Sequence, residues 1–600
     1  MCGIIAYTGN KDGAAVIING LKKLEYRGYD SAGMAYAAKD GKLKIIKTQG
    51  KVKNLEELAA KNKASARCLI GHTRWATHGK PSQRNSHPHA GMRASVAIVH
   101  NGIIENYLQL KQQLAAKGHK FASQTDSEVI AHLIEENLKT SPGFETAFKK
   151  SLKSLKGAYA IAAVYSGEPG VIMAAKKQSP LVLGEGRGEY YLSSDVPAFL
   201  EHTKKAVFFE DGDIVKIMPQ GYTITDINGR PVKRKINTIN WSAANAQKDG
   251  YKHFMLKEIF EQPQAVEDTL LTLPPDIKKS FGISAQRAKK IKGIYLVACG
   301  TAYHAALTAK YWLESIAKLP CEVEVASEFK YRDICWQKDW LFIAVSQSGE
   351  TADTLAALTN AKKAGLKILS ICNVLGAAIP QASDFTVYTH CGPEISVAST
   401  KAFTSQLAAL YALALNLGAA RGALKKEQYK KSYAQLLKLP VLLRQALKLQ
   451  PRIKEIAKTL YKKDYFIFLG RGNCCPLALE GALKLKEISY LHAEGFPAGE
   501  IKHGPIAMIE NGTPVIALAP AGRLEEKMLS SCQEVAARGA KTIMITDKPA
   551  QGALVLPSAG ADLFPLLAAV PLQLFAYHIA DFNGRGIDQP RNLAKSVTVE

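Results

Sequence analysis

Acidic side chains are scarce in this chain of 600 residues. It carries 53 Asp and Glu against 78 Lys and Arg, which gives a formal net charge of +25. The basic residues form lysine-rich runs such as 149–156 and 425–431, without interleaved aromatic residues and without a nucleic-acid-binding motif. We therefore interpret the excess charge as solvated surface and expect no nucleic-acid partner.

Paired and metal-binding cysteines are lacking as well. The ten cysteines show neither a metal-ligand spacing nor a disulfide framework, and Cys474 and Cys475 are simply adjacent. This pattern predicts reduced thiols in a reducing compartment, and we expect neither a metal nor a cofactor. Because no signal peptide precedes Cys2, we expect a cytoplasmic protein.

The sequence also lacks an uninterrupted apolar segment long enough to cross a membrane. The membrane-like stretch is 563–580, and Pro565, Pro571 and Gln573 interrupt it. It therefore predicts a buried helix and no association with a membrane. With 47% hydrophobic residues the chain can form several cores, and its length fits about three domains.

Among the residues that are present, the second one is the most informative. If Met1 is removed, Cys2 begins the chain with a nucleophilic thiol beside a free α-amine. The amine can accept the thiol proton near neutral pH, because the two kinds of group have similar ordinary pKa values. Cys2 alone fits a small buried apolar residue equally well. The hypothesis therefore needs an acyl-transfer site around it.

Two charged residues provide complementary parts of such a site. Arg74 lies in the polar stretch 71–79, which follows strand-like residues 67–70 and predicts a loop leaving a sheet edge. A guanidinium suits a substrate carboxylate, and Asp126 suits a substrate amine. The simpler alternatives are a surface cation at Arg74 and a helix N-cap at Asp126.

An oxyanion site is predicted at Asn101 and Gly102. These residues follow the apolar strand 95–99, so that a side-chain amide and a backbone N–H can point at a developing negative charge. The alternative is a common Asn-Gly hairpin turn.

Four motifs now point to a family. Together Met1–Ile4, Glu25–Ser31, Thr73–Gly79 and His100–Gly102 resemble the glutaminase domain of class II, N-terminal-nucleophile glutamine amidotransferases. The resemblance implies an αββα sandwich and hydrolysis of the glutamine side-chain amide through a thioester, with release of ammonia. It implies these roles: Cys2 as nucleophile, Asn101 and Gly102 as oxyanion hole, Arg74, Thr77, His78 and Asp126 as glutamine pocket, and Trp75 as the gate of an ammonia channel.

A domain boundary follows the glutaminase region. Residues 241–250 are small and polar without a hydrophobic period, which predicts a linker after a domain at 2–240. The next residues, 251–262, show a helical pattern that we expect Pro263 to stop.

The rest of the chain contains an internal repeat. Three pairs of segments correspond at a spacing of roughly 170–174 residues: 294–301 with 465–472, 341–349 with 514–522, and 365–367 with 539–541. Apolar strands alternating with helices predict α/β units with parallel sheets covered on both faces. We place the two units at 251–425 and 426–588, followed by a tail at 589–600.

The two copies differ where a ligand would bind. In the first copy, Ser346, Gln347, Ser348 and Thr351 follow a strand and open a helix, which offers hydroxyls and backbone N–H groups to an anion. The second copy, at 519–524, has lost every hydroxyl and contains a proline. This difference predicts one phosphate site per pair of copies, although a serine-rich turn is also a good helix N-cap.

The duplicated units resemble sugar isomerase domains, which bind phosphosugars. Joined to the glutaminase, they resemble the glutamine–fructose-6-phosphate aminotransferase (isomerizing) family over nearly the whole chain, including the motifs 299–301, 397–404, 480–487 and 588–600. The resemblance implies that fructose 6-phosphate and glutamine are converted to glucosamine 6-phosphate and glutamate, in the first step of amino-sugar synthesis, by a homodimer.

It also implies roles for residues of the sugar site. Lys595 forms a Schiff base with the C2 carbonyl, Glu487 moves a proton between C1 and C2, and His503 opens the sugar ring from a partner subunit. Thr301, Ser399 and Lys484 complete the sugar-binding set. Ala302 departs from the family, since a serine is usual there in bacterial relatives, and this predicts a lower sugar affinity.

Glu480, Lys484 and Glu487 share one helix face at i, i+4 and i+7, and the alternative to a site is a surface ion-pair ladder.

Other functions remain to be weighed. A phosphoribosylpyrophosphate amidotransferase needs an Asp-Asp strand-loop and an asparagine synthetase needs a Ser-Gly-Gly-x-Asp-Ser loop, and this sequence has neither. A non-catalytic phosphosugar sensor is the alternative from a different class. The presence of Glu487, His503 and Lys595 argues against it.

Overall fold

The computed structural model describes residues 2–38, 40–75, 79–239 and 248–598. The chain forms two compact units, one of Met1–Ala246 with Ala594–Glu600 and one of Gln247–Leu593. Most of the predicted linker, residues 241–247, lies outside the described residues. The two units are described separately.

The first unit is built on two antiparallel sheets. In chain order its strands are β1 (Gly3–Thr8), β2 (Ser31–Ala37), β3 (Leu43–Gln49), β4 (Cys68–Arg74), β5 (His89–Ala90), β6 (Val96–Ile104), β7 (Gly157–Tyr165), β8 (Ile172–Lys177), β9 (Val182–Glu185), β10 (Tyr190–Ser193), β11 (Lys205–Phe208), β12 (Ile214–Met218), β13 (Gly221–Thr225) and β14 (Ile236–Thr238). The sheet orders are β14-β11-β9-β10-β1-β4-β2-β3 and β13-β12-β8-β7-β6-β5. Five helices accompany them: α1 (Gly13–Leu24), α2 (Val52–Lys61), α3 (Tyr107–Ala116), α4 (Glu128–Leu138) and α5 (Phe144–Leu152).

Alternation along the strands explains how the layers stack. In β1, Ile4 and Ala6 belong to the core between the two sheets, whereas Ile5 and Tyr7 belong to the core shared with α1 and α2. Because successive side chains point to opposite faces, a strand that is apolar throughout must be covered on both sides. A third core lies between the six-stranded sheet and helices α4 and α5. The predicted αββα sandwich is therefore confirmed.

The second unit contains two five-stranded parallel sheets. Its strands are β15 (Gly293–Ala298), β16 (Cys321–Val325), β17 (Trp340–Ser346), β18 (Lys367–Cys372), β19 (Phe385–Tyr388), β20 (Tyr465–Gly470), β21 (His492–Pro497), β22 (Pro514–Leu518), β23 (Lys541–Thr546) and β24 (Leu554–Val555). The sheet orders are β16-β15-β17-β18-β19 and β21-β20-β22-β23-β24. Both sheets thus have the same topology, and the predicted pair of α/β units is confirmed.

The helices of this unit cover the two sheets or pack on the helices that do so. They are α6 (Phe254–Phe260), α7 (Gln262–Leu271), α8 (Ile277–Phe281), α9 (Ala285–Lys290), α10 (Gly300–Ile316), α11 (Ala326–Phe329), α12 (Ala352–Lys363), α13 (Ala378–Ala382), α14 (Lys401–Arg421), α15 (Lys426–Leu437), α16 (Leu439–Leu447), α17 (Gln450–Leu460), α18 (Cys475–Ser489), α19 (Glu525–Ala536) and α20 (Phe564–Phe582).

Pro263 does not stop a helix, contrary to the expectation from the sequence. Helix α6 ends at Phe260, and Pro263 occupies the first turn of α7. Proline is tolerated there because the first backbone N–H groups of a helix have no partner within it. The helical pattern in the sequence therefore spans the end of one helix and the start of the next.

Two helices, α14 and α20, are long and apolar enough to cross a membrane by length and composition. Buried residues make up 94% of the most apolar stretch of each, as in the central helices of a packed core. Helix α20 is the predicted buried helix, whereas α14 was not predicted as a comparable run.

Candidate active site

Residues 71–74 lie in a central strand and not in a loop at a sheet edge. Strand β4 continues to Arg74 and pairs with β1 on one side and β2 on the other. A Cβ atom on Gly71 would lie 2.4 Å from Cγ2 of Ile17 on α1, so the strand packs closely on that helix. His72 and Arg74, which suggested a loop, are only 0% and 3% exposed. Arg74 is polar because it lines a pocket together with Cys2, and His72 contacts Asn101, another residue of that pocket.

Cys2 lies immediately before β1, beside the end of β4. Its Sγ is 3.3 Å from the backbone nitrogen of Trp75, which donates to it. Its carbonyl oxygen accepts hydrogen bonds from Nδ2 of Asn101 at 3.0 Å and from Nε of Arg27 at 3.3 Å. The predicted nucleophile, gate and oxyanion residue are thus neighbours in the structure.

Asn101 and Gly102 lie inside β6, which continues to Ile104, so the hairpin-turn alternative is wrong. Gly102 has a φ of 129°, and a Cβ atom there would lie 2.0 Å from the carbonyl oxygen of Ala158 on β7. Only glycine fits this position without moving the neighbouring strand. The residue type is therefore dictated by packing beside the site.

Arg74 and Asp126 place opposite charges on the wall of the Cys2 pocket, which Asn101, Gly102 and Thr598 also line. Burial lowers the pKa of the Arg74 guanidinium, and the opposing effect of nearby acidic groups, including Asp126, offsets this only in part. The Asp126 carboxylate accepts a hydrogen bond from the Ile104 backbone N–H at 2.8 Å.

The N-cap alternative for Asp126 is wrong, because α4 begins at Glu128 and Ser127 occupies its cap position. A zwitterionic amino acid fits a pocket whose wall carries fixed charges of both signs. The other two predicted glutamine-binding residues, Thr77 and His78, lie outside the described residues.

Sequence reasoning missed two residues at this site. The first is Arg27, which joins the Cys2 carbonyl to Asp195 through an ion pair of 3.0 Å. Arg27 lies in the motif Glu25–Ser31, and its place in this motif could have identified it as a residue of the site. The second is His72, whose Nε2 lies 3.1 Å from Oδ1 of Asn101. No sequence motif pointed to this contact.

The second unit has its candidate site at the carboxyl end of its first sheet. In this sheet β16 lies on one side of β15, whereas β17 and the later strands lie on the other side. Ligands of parallel sheets bind at such a switch point, here between β15 and β17. Hydroxyl groups of the loop after β17 form hydrogen bonds within the loop. Ser346 Oγ accepts a hydrogen bond from the Gly349 N–H at 3.0 Å. Ser346 Oγ also lies 3.1 Å from Oγ1 of Thr351. Polar groups therefore converge at the start of α12.

The corresponding loop of the second copy binds a carboxylate of the chain itself. There the Ala521 N–H donates to Oδ1 of Asp547 at 2.7 Å. Asp547 directly follows β23, and the uncharged Asn373 directly follows β18 in the first copy. An aspartate repels a phosphate and already occupies a donor that a phosphate would need. This asymmetry supports the prediction of one phosphate site per pair of copies.

A buried charged cluster joins α10 of the first copy to α18 of the second. Glu480 Oε2 lies 2.7 Å from Nδ1 of His304, and its Oε1 accepts from Oγ1 of Thr301 at 3.1 Å. Lys484 Nζ lies 3.5 Å from Glu480 and 2.5 Å from Glu487. The side chains of Lys484 and Glu480 are 1% and 2% exposed. The surface-ladder alternative is therefore wrong.

Burial by itself lowers the pKa of Lys484, but the attraction of Glu480 and Glu487 outweighs it and raises the pKa overall. Lys484 is therefore a buried cation paired with two carboxylates. Sequence reasoning missed His304, although its position one helical turn after Thr301 places both on one face of α10.

The remaining predicted residues are more scattered. Gln347 and Ser399 are half-buried, and Ser399 lies in a segment held by Glu394, whose carboxylate accepts from the N–H groups of Thr400 and Ala402. His503 is exposed. Lys595 belongs to the first unit, so the structure does not test its predicted part in the sugar site.

Across residues 2–38, 40–75, 79–239 and 248–598, no group of three or more His, Cys, Asp or Glu side chains is arranged to hold a metal ion.

Comparisons with known proteins match both units. A model of the glutamine amidotransferase domain matches residues 72–201, and a model of the SIS domain matches residues 289–416 and 459–580. The fold and these matches define a glutamine amidotransferase domain joined to a pair of sugar isomerase domains.

Two curated relatives, both named "Glutamine--fructose-6-phosphate aminotransferase [isomerizing]", cover the full length. The one from Clostridium tetani is 46% identical over 612 residues and one from Thermus thermophilus is 45% identical over 608, each covering 100% of both chains. The chain therefore belongs to the glutamine–fructose-6-phosphate aminotransferase family. A solved C-terminal domain of such an enzyme from Francisella tularensis is 45% identical, with a TM-score of 0.55, and covers 57% of this chain and 100% of its own.

Proposed function

We propose that this enzyme transfers the amide nitrogen of glutamine to fructose 6-phosphate and releases glucosamine 6-phosphate and glutamate. The observation that carries the proposal is the Cys2 pocket, where a thiol, the amide of Asn101 and the opposite charges of Arg74 and Asp126 line one cavity. The second unit adds a hydroxyl-rich loop and a cluster of buried acidic and basic side chains.

In the first half-reaction, glutamine binds with its α-carboxylate on Arg74 and its α-amine on Asp126. The Cys2 thiol gives its proton to its own α-amine after Met1 has been removed, and its sulfur attacks the side-chain carbonyl carbon. The negative charge that forms on the carbonyl oxygen is stabilised by the Asn101 side-chain amide and the Gly102 N–H. The leaving nitrogen takes back the proton held by the Cys2 α-amine and departs as ammonia, which leaves a thioester. Water then hydrolyses the thioester to glutamate and the free Cys2 thiol.

In the second half-reaction, the phosphate of the sugar binds the hydroxyls and N–H groups of Ser346–Thr351 at the start of α12. Lys595 forms a Schiff base at C2 of the open-chain ketose, and the carbonyl oxygen leaves as water. Ammonia then adds to C2 and displaces the lysine amine, so that C2 carries an imine of ammonia. Glu487, which is paired with Lys484, moves a proton from C1 to C2, and this gives the C1 aldehyde and the C2 amine of the product.

The active form is a cytoplasmic homodimer in this proposal. The exposed position of His503 supports it, since a ring-opening histidine supplied to a partner subunit has to lie on the surface of its own chain.

The test is a product assay on the purified enzyme. Incubation with fructose 6-phosphate and glutamine should yield glucosamine 6-phosphate and glutamate in equal amounts, measured by chromatography with mass detection. A phosphosugar sensor without enzymatic activity would bind fructose 6-phosphate but form no glucosamine 6-phosphate, and that result would overturn the proposal.

Removal of one hydroxyl should weaken sugar binding selectively. Thr351→Val keeps the shape of the side chain but removes a hydrogen-bond donor from the loop at α12. A hydrogen bond to a charged group contributes about 1.5–3 kcal/mol, so we expect KM for fructose 6-phosphate to rise at least about tenfold. Steady-state kinetics checks this, with Thr359→Val on the exposed face of the same helix as the matched control. An unchanged KM would contradict the phosphate assignment.

A further inference from the structure

We propose that His72 is a positioning residue for glutamine hydrolysis, which holds the side-chain amide of Asn101 with its nitrogen toward Cys2. The inference rests on the proposed function, because it assigns a cause to the orientation of the oxyanion-hole amide. His72 is not among the residues that line the Cys2 pocket, and it acts through Asn101.

The contacts of His72 fix which of its ring nitrogens carries a proton. Its Nε2 lies 3.1 Å from the carbonyl oxygen of His100 and 3.1 Å from Oδ1 of Asn101. A carbonyl oxygen only accepts hydrogen bonds, so Nε2 must be the donor. Its Nδ1 is buried and has no hydrogen-bond partner among the described residues, which agrees with a bare nitrogen at that position.

The surroundings of His72 also keep its ring neutral. The side chain is 0% exposed, and burial lowers its pKa to about 3 although its two hydrogen bonds raise it. The ring stacks on His87 with a centroid distance of 4.1 Å, so a second aromatic ring fixes its plane. The histidine is therefore an uncharged donor of fixed direction.

This donor decides which end of the Asn101 amide faces the thiol. With Oδ1 held by His72, the amide nitrogen points to the other side, where Nδ2 donates to the Cys2 carbonyl at 3.0 Å. If the amide turned over, its oxygen would face the developing oxyanion and repel it. Loss of one oxyanion-hole donor lowers kcat by about 10²–10³.

Two amide substitutions separate positioning from packing. The side-chain nitrogen of His72→Gln reaches about as far from the backbone as Nε2, whereas that of His72→Asn reaches only as far as Nδ1. For His72→Asn we expect kcat of glutamine hydrolysis to fall about 100-fold while KM for glutamine changes less than about threefold. For His72→Gln we expect kcat to recover to within about tenfold of the unsubstituted enzyme.

The rate at which iodoacetamide alkylates Cys2 separates positioning from a merely structural role. Damage to the structure around Cys2 would change this rate, whereas loss of the amide orientation would not. This displacement forms no oxyanion, so its rate should stay within about threefold in both variants. Isomerisation of fructose 6-phosphate should also be unchanged.

The inference is overturned if His72→Asn hydrolyses glutamine normally, if His72→Gln is as impaired as His72→Asn, or if alkylation falls together with hydrolysis. If the unsubstituted enzyme fails to hydrolyse glutamine, the proposed function itself is wrong.

Discussion

Replacing Cys2 by alanine should abolish glutamine-dependent formation of glucosamine 6-phosphate and leave the isomerisation of fructose 6-phosphate intact. The thiol is the only group of the pocket proposed to form a covalent bond with glutamine. Arg74 and Asp126, which line the same pocket, are proposed to bind the substrate through their charges and remain in the variant. Removal of a catalytic nucleophile costs on the order of 10⁴–10⁶ in kcat. Glutamate release should therefore drop to background, measured by a coupled glutamate assay.

The matched control is Cys335→Ala, which removes an exposed thiol of the second unit. This variant should keep both activities. Isomerisation without glutamine, followed for Cys2→Ala in parallel, reports whether the second unit is still folded. Continued glutamine-dependent synthesis by Cys2→Ala would contradict the assignment of the nucleophile, and so would active enzyme that retains Met1 in intact-mass spectrometry.

The layered architecture could be predicted because hydrophobic patterns report burial directly. Strands such as β1 and β17 are apolar at nearly every position, which requires covered faces. The repeat was visible because two copies of one topology retain similar strand patterns at a constant spacing. Two predictions of secondary structure were wrong. The polar residues at the end of β4 suggested a loop, and Pro263, which lies in the first turn of a helix, suggested a helix end.

The contacts that orient the site were harder to predict. His72 lies on β4 of the eight-stranded sheet and Asn101 on β6 of the six-stranded sheet, so they meet only because the two sheets pack face to face. His304 and Glu480 are likewise brought together by helices from different copies of the repeat. Spacing along the chain carries no information about such pairs, whereas Glu480, Lys484 and Glu487 share one helix and were predictable as a set.

Substitution of Glu487 by glutamine should have the opposite effect to that of Cys2→Ala. Glutamine keeps the size of the side chain but cannot accept a proton, so the transfer between C1 and C2 loses its base. We expect isomerisation and synthesis to fall by about 10²–10⁴, the usual contribution of a positioned acid or base. Glutamine hydrolysis at Cys2 should continue, because its residues belong to the first unit.

Glu526→Gln is the control for this experiment, since Glu526 is an exposed carboxylate of the same unit on α19. Isomerisation is measured as aldose phosphate formed without glutamine, and hydrolysis as glutamate released. If Glu487→Gln isomerised the sugar within about threefold of the unsubstituted enzyme, the proton would have to move through another group. Glu480 would then be the next candidate for the base, because it is a carboxylate of the same cluster and contacts Lys484 and His304.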